Sequence, residues 1–273
     1  MSGRKLILDR FRLSGKVALV TGASRGIGKA ISLGMAEAGA DLVLASRSLP
    51  DLEAVAQEIN QMGRKTLVVS ANLRHLTQID NLVAKAIDEF GHIDILVNNA
   101  GTNPFFGSVF DIDDRMWDRT MGLNLKGYFF LSQAVGRVMR DKGCGSIINI
   151  ASEDGINPGL GAGAYSISKA GVIMLTRVLA QEWGQYNIRV NTIAPGVIRT
   201  QFSEALWKNP VIRLERTENN TALGRIAEAE EIVGAALFLA SNASSYMTGQ
   251  TILLDGGHFC SVRTLLPIIT PRR

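Results

Sequence analysis

Tyr165 and Lys169 stand four residues apart in Ala164-Tyr165-Ser166-Ile167-Ser168-Lys169, and Ser152 precedes the tyrosine by twelve intervening residues at the end of an apolar run. On a helix, residues four apart share a face, so a protonated Lys169 below the Tyr165 phenol would favour its ionised form. A tyrosine tuned in this way can act as an acid or base near neutral pH. The same spacing occurs on ordinary amphipathic helices, so the pair gains meaning only from elements that bring a reactant to it.

The first such element lies near the start of the chain. Lys16-Val17-Ala18-Leu19-Val20-Thr21 is a short apolar, partly β-branched run, followed directly by Gly22-Ala23-Ser24-Arg25-Gly26-Ile27-Gly28 and then by apolar residues at helical spacing from Ala30 to Ala36. In a dinucleotide site such glycines allow a tight turn and close backbone approach to the pyrophosphate, which rests on the helix N-terminus. Three residues separate the first two glycines, so the order differs from G-x-G-x-x-G, and a plain glycine-rich β-α turn would read the same way. No Gly-Lys-Ser/Thr follows, which excludes a phosphate-loop NTPase.

Taken together, residues 21–28, Asn98-Asn99-Ala100-Gly101, Asn124, Ser152, residues 165–169 and Pro195-Gly196 resemble the short-chain dehydrogenase/reductase family over about residues 13–257. Residues 103–107 and 202–207 are similar to the animal peroxisomal NADP-dependent carbonyl reductases and retinol dehydrogenases. Bacterial 3-oxoacyl carrier protein reductases are nearly as similar in outline.

The elements that must position these residues alternate along the chain. Strand-like runs at 16–21, 41–45, 66–70, 93–97, 146–150, 188–193 and 250–254 are separated by helix-like segments at 49–62, 76–90, 115–140, 165–184 and 228–240. This order predicts an α/β fold, a Rossmann-type doubly wound seven-stranded parallel sheet with helices on both faces. Ligands in such sheets bind beyond the carboxyl ends of the strands, where the glycine turn, Arg47, residues 98–101, Ser152 and Pro195-Gly196 all fall. A single domain over residues 1–273 is expected, with an N-terminal extension at 1–12 and a tail at 258–273.

Composition restricts the function classes. Apolar residues make up 46% of the chain and charged residues 20%, with no run long enough for a membrane span and no secretory leader in the first sixteen residues. The net charge of +4 is not gathered on one face, which argues against nucleic-acid binding. Cys144 and Cys260 carry no metal-ligand or disulfide-framework spacing, and no metal is expected. A serine hydrolase is disfavoured, because Ser152 lacks a G-x-S-x-G elbow and no pattern marks His75, His92 or His258 as its base. Those histidines are expected to be surface or structural residues.

Cofactor choice is read after the second strand. NAD sites commonly carry an acidic residue there, whereas arginine accommodates a 2′-phosphate. Here the segment is Leu44-Ala45-Ser46-Arg47-Ser48, so Arg47 favours NADP(H), with Arg25 able to flank the same phosphate; both also suit solvated surface positions. The resemblance implies cofactor contacts at Gly22, Ser24, Arg25, Gly26, Ile27, Gly28, Ser46, Arg47, Asn72, Leu73, Asn99, Ala100, Gly101, Tyr165, Lys169, Pro195, Gly196, Val197, Ile198 and Thr200. At Asn72 the family usually has an aspartate near the adenine.

The resemblance also implies the chemistry. NADPH would pass a hydride to a carbonyl carbon, Tyr165 would protonate the oxygen, and Ser152 would hold it. Lys169 would lower the Tyr165 pKa and bind the ribose, and Asn124 would help hold a water linking Lys169 to solvent. The expected partner is a small carbonyl or alcohol substrate, walled by residues 103–106, 153–160 and a lid at 197–221. Phe105, Phe106, Phe202, Leu206 and Trp207 suit an apolar pocket, or equally a core or interface. Glu153 and Asp154 depart from the small or apolar residues usual there and leave room for a hydroxylated substrate. Lys208, Arg213 and Arg216 could meet an acidic carrier. A cofactor-binding regulator of the same fold that has lost turnover is the second reading. Assembly as a homotetramer, or a homodimer, is implied, with the apolar tail packed on a neighbouring subunit. The chain ends in Pro271-Arg272-Arg273, not the peroxisomal tripeptide, which gives a cytoplasmic expectation.

Overall fold

The computed structural model describes residues 6–216 and 218–259. Seven strands, β1 Val17–Thr21, β2 Asp41–Ser46, β3 Thr66–Ser70, β4 Ile95–Asn98, β5 Gly145–Ile150, β6 Ile188–Pro195 and β7 Thr251–Leu254, form one sheet in the order β3-β2-β1-β4-β5-β6-β7. Every pairing is parallel, with Leu19 opposite Val43 on one side and Leu96 on the other. The order reverses between β1 and β4, so the sheet has a topological switch point at the carboxyl end of β1, where doubly wound folds bind ligands.

The strands carry apolar residues on both faces because both are covered. Val17 and Leu19 point into a core with Ile79, Leu82, Tyr128, Leu131, Val135 and Val172, while Ala18 and Val20 point into a second core with Ile31, Leu52, Ile59 and Ala236. The first layer is α3 (Leu76–Phe90), α5 (Tyr128–Lys142) and α6 (Gly163–Trp183); the second is α1 (Gly26–Glu37), α2 (Leu49–Gln61) and α9 (Val233–Ala240). Between α3 and α5, α4 spans Asp114–Met121; α7 (Glu204–Trp207) and α8 (Pro210–Arg216) lie in the long connection after β6.

Three expected elements differ. The helix expected over 115–140 is split into α4 and α5 by a π-helical stretch at Gly122–Gly127. A wider turn there carries Asn124 into the core, and apolar periodicity does not distinguish it from a regular helix. The strand expected at 93–97 begins at Ile95, because the Asp94 carboxylate turns back to accept from Val17 N at 2.9 Å. The helix expected from 228 starts as a 3₁₀ turn at Ala229–Ile232. Residues 260–273, and with them the expected packing of the apolar tail, lie outside the described residues, as does the Arg216 side chain.

Candidate active site

Sheet order brings β1 and β4 side by side, and Thr21 joins their ends. Its hydroxyl donates to Val97 O at 3.2 Å and accepts from the N–H groups of Asn99 and Ala100 at 2.9 and 3.1 Å. Asn99 completes the tie, its Nδ2 donating to Thr21 O at 2.9 Å. Next to this joint the glycine turn has left-handed backbone at Gly22 (φ 65°) and Gly26 (φ 55°). A Cβ at Gly28 would sit 2.2 Å from the Gly22 carbonyl oxygen, so only glycine permits the turn to close on the start of α1. The Arg25 side chain at the N-cap of α1 makes no capping bond and donates instead to Gln201 Oε1 at 2.6 Å. The first N–H groups of α1 are therefore not taken by a side-chain cap, an arrangement suited to a phosphate.

Around this turn the other expected cofactor residues occupy one rim, at the carboxyl ends of their strands. Ser24 and Ile27 are half-buried in the turn, and Ser46 Oγ accepts from Ser48 N at 3.2 Å. Arg47 is exposed, and its guanidinium has no hydrogen bond or ion pair among the described residues. Asn72 closes a turn, its Oδ1 accepting from Arg74 N at 3.2 Å, and Leu73 is buried. Gly196 N donates to Leu254 O at 2.9 Å, fixing the turn after Pro195; half-buried Val197 and buried Ile198 follow. A Cβ on Gly26 would lie 3.2 Å from the Thr200 methyl, so the root of the lid abuts the glycine turn. The start of α1 without a side-chain cap, and an Arg47 guanidinium without an ion pair among the described residues, fit a nicotinamide dinucleotide.

The four expected catalytic residues meet at the end of β5. The Ser152 hydroxyl is near enough to the Tyr165 phenol to favour its ionised form, and it accepts from Asp154 N at 3.1 Å. Lys169, buried one helical turn below Tyr165, donates to Ile150 O at 2.8 Å, with Nζ 5.6 Å from the Tyr165 ring centre and 5.3 Å from that of Tyr128. Tyr128, fully buried, donates to the same carbonyl at 3.3 Å. Asn124, also fully buried, donates to Thr102 O (2.9 Å) and Ser168 Oγ (3.0 Å) and accepts from Thr102 N (2.8 Å). Its carboxamide thus locks α6 to the segment after β4; Ala100 and Gly101 begin that segment, and a Cβ on Gly101 would lie 3.7 Å from Lys169 Nζ.

The electrostatics of this group run opposite to the sequence expectation. Burial holds Lys169 down to about 7. Burial also pushes the Tyr165 phenol up; the Ser152 hydroxyl opposes this, and the Asp154 and Glu153 charges add to it. Desolvation of the phenolate outweighs the opposing influence of Ser152. The phenol is held protonated.

The expected pocket wall is mixed. The exposed Phe202 ring lies 5.9 Å from that of Tyr165, and Phe106 shields Gly161. Phe105 packs on Gly107, Leu206 is half-buried, and Trp207 is turned to its own loop, donating Nε1 to Thr200 O at 2.9 Å. Lys208 is paired to Glu204 at 2.9 Å, and Arg213 also has a partner. His92 is structural, 3.1 Å from Asp94, and His75 stands at the N-terminus of α3. His258 departs from expectation: its Nδ1 lies 2.9 Å from Glu153 Oε2, immediately beside Ser152. Sequence reasoning also missed Tyr128, although its spacing of four from Asn124 was a signal that both face the same site. Among the described residues no helix is long and apolar enough to cross a membrane, and no group of three or more His, Cys, Asp or Glu side chains could hold a metal ion.

Comparison with known proteins agrees with this geometry. The model of the family described as enoyl-(acyl carrier protein) reductase matches residues 22–258. The chain is 40% identical to 2-dehydro-3-deoxy-D-gluconate 5-dehydrogenase of Escherichia coli (strain K12), over 92% of this chain and 98% of that protein. Among solved structures, a short-chain type dehydrogenase/reductase from Mycobacterium marinum superposes with a TM-score of 0.89 at 40% identity, covering 94% of this chain and all (100%) of that one. A gluconate 5-dehydrogenase from Burkholderia cenocepacia J2315, in complex with NADP and tartrate, gives a TM-score of 0.90 at 35% identity, over 94% of this chain and 100% of that one.

Proposed function

The chain belongs to the short-chain dehydrogenase/reductase family, and from that premise we propose that it is an NADP(H)-dependent oxidoreductase interconverting a ketone or aldehyde with its alcohol, Tyr165 serving as the acid/base. The observation that carries this reading is Tyr165 set one helical turn above the buried Lys169, whose Nζ lies 5.6 Å from the phenol ring centre, beside Ser152 on the rim that also holds the glycine turn. NADPH, when bound, supplies the hydride. Ser152 donates a hydrogen bond to the substrate oxygen and so holds it within reach of the phenol. Tyr165 gives its proton to that oxygen as negative charge develops there, and the burial that keeps the phenol protonated suits it to this direction. Lys169, fixed by the Ile150 carbonyl, would bind the cofactor's ribose hydroxyls and, when protonated, would place a positive charge beneath the phenol. Asn124 acts as a positioning residue, holding Ser168 and therefore the Lys169 turn in place.

NADP(H) is preferred over NAD(H) on the ground that Arg47 is free to pair with a 2′-phosphate and no acidic side chain stands beside it. The reading extends to one oxidoreductase domain in the cytoplasm, assembled as a homotetramer or homodimer. Support for assembly comes from Phe129, Ile167, Met174 and Val178, apolar side chains left exposed on α5 and α6.

Tyr165→Phe tests the proposal. The ring survives and the acidic hydroxyl is gone, so the variant should bind NADPH by fluorescence titration yet lose most reduction of a ketone, aldehyde and diketone panel. Near-normal turnover would reject Tyr165 as the proton donor. Tight NADPH binding by the unaltered protein with no turnover across the panel would favour the regulator.

A further inference from the structure

Ser152 is followed by two carboxylates that the fold buries beside the reacting position, and a third, Asp255, follows β7. Their hydrogen bonds separate their roles. Asp255 is consumed by its own loop, accepting from Gly257 N at 2.9 Å and Phe259 N at 3.0 Å. Asp154 packs against Gly159 across the loop leading to α6, where a Cβ would lie 2.5 Å from its Oδ1. Glu153 differs: it is only 8% exposed, its Oε2 is held by His258, and its Oε1 has no hydrogen-bond partner among the described residues.

The position of this carboxylate is fixed. Gly196 lies against it, since a Cβ built there would meet Glu153 Oε2 at 3.2 Å and the Asp255 backbone at 2.9 Å. Glu153 therefore stands between the Ser152–Tyr165 pair and the turn after β6, close enough for its charge to act on the Tyr165 phenol. Oε1 is not among the fully buried side-chain atoms that lack a partner, so solvent reaches it, and a substrate hydroxyl entering the crevice can take the place of that solvent. His258 already occupies Oε2, so a neutral hydroxyl suits the remaining oxygen, whereas a substrate carboxylate would meet the acidic side chains of Glu153, Asp154 and Asp255 together.

Resting on the reductase reading above, we propose that Glu153, held by His258, is a specificity-determining residue whose free oxygen accepts a hydrogen bond from a hydroxyl next to the reacting carbon, so that the substrate is a neutral polyhydroxylated ketone or aldehyde. The chain on this account differs in charge preference from a sugar-acid enzyme: a polyol end, not a carboxylate end, lies nearest Tyr165.

Three four-carbon ketones separate the possibilities: L-erythrulose, which is hydroxylated and neutral, 2-butanone, which lacks hydroxyls, and 2-oxobutanoate, which is anionic. With NADPH, kcat/KM for erythrulose should exceed that for either of the others by about tenfold or more, the range set by one hydrogen bond to a charged acceptor. In Glu153→Leu the erythrulose/2-butanone ratio of kcat/KM should fall at least about tenfold, and Glu153→Gln should lower it less while improving 2-oxobutanoate relative to erythrulose. Ratios are unaffected by the fraction of each variant that folds. Turnover of the ketones with equal ratios in wild type and Glu153→Leu overturns the subsite and leaves the reductase reading intact. Preference of the wild type for 2-oxobutanoate, or for 1-amino-2-butanone over erythrulose, overturns the hydroxyl assignment. Absence of turnover on all of them overturns the hydroxyl assignment, and the reductase reading then stands or falls on the wider panel of ketones, aldehydes and diketones.

Discussion

Lys169→Met should make the protein more stable at neutral pH while abolishing its activity. Lys169 is 3% exposed, and burial lowers its pKa from 10.5 to about 7. The folded state thus disfavours the ammonium form, while the unfolded chain keeps it up to pH 10.5. Because the unfolded state binds more protons between those values, stability rises with pH across the window. At about 1.4 kcal/mol per pKa unit, the cost of folding around this lysine is about 5 kcal/mol well below pH 7, about 4 kcal/mol at pH 7 and about 1 kcal/mol at pH 10. Methionine fills similar space without a charge but removes the bond to Ile150 O, a loss of about 1–2 kcal/mol that the Tyr128 hydroxyl on the same carbonyl limits. The variant should therefore be stabilised by about 2–3 kcal/mol at pH 7 and be equal to or slightly less stable than wild type at pH 10. Urea unfolding of both proteins at pH 7, 8, 9 and 10 measures this difference directly. An offset that does not change with pH, or a less stable variant at pH 7, refutes the placement of Lys169 as a desolvated cation.

Arg47→Asp should move the preference ratio from NADPH toward NADH by more than tenfold, or roughly 1.4 kcal/mol, since a carboxylate repels the 2′-phosphate and accepts from a 2′-hydroxyl; an unchanged ratio of kcat/KM values removes Arg47 as the reader of that phosphate. Asp94 is buried beneath Lys16, Lys142 and His92 at 3.0, 2.6 and 3.1 Å. Burial alone would raise its carboxyl, but hydrogen bonds from Lys142, Val17 N–H and Lys16 outweigh it and hold the pKa below 3.8. Its contribution is thus present above the unfolded value and lost as pH falls through the folded one, and Asp94→Asn should cost about 3 kcal/mol at pH 7, with the gap to wild type closing in acid; a gap as large at pH 3 as at pH 7 contradicts this.

The fold was legible because its signals are local. Each strand is a short apolar run whose alternate residues enter different cores, as Val17 and Leu19 do on one side and Ala18 and Val20 on the other, and helices such as α2 and α3 carry an apolar stripe of their own. What escaped were changes of backbone winding that leave this periodicity intact. The π-helical stretch at Gly122–Gly127 has the same apolar spacing as a regular helix, and only its consequence, the burial of Asn124 between Thr102 and Ser168, reveals it.

Which residues of the candidate site meet was legible, and their charge less so. Tyr165, Lys169 and Ser152 are singled out by type and spacing, but their protonation depends on groups brought in by the sheet. Spacing alone suggests an attractive pair in which lysine lowers tyrosine. The folded arrangement desolvates both and sets Glu153 and Asp154 near the phenol, so the balance goes to a protonated tyrosine and a weakly basic lysine. His258 illustrates the same limit. It lies 105 residues from Glu153 in the chain, and no local pattern connects them; the parallel pairing of β6 with β7 does, by carrying the turn after Leu254 to the turn after Pro195. A residue whose partner is chosen by sheet order is invisible to motif reading. Substrate specificity, built here from β5, β6 and β7 ends together, is therefore the part of the function that the sequence discloses last.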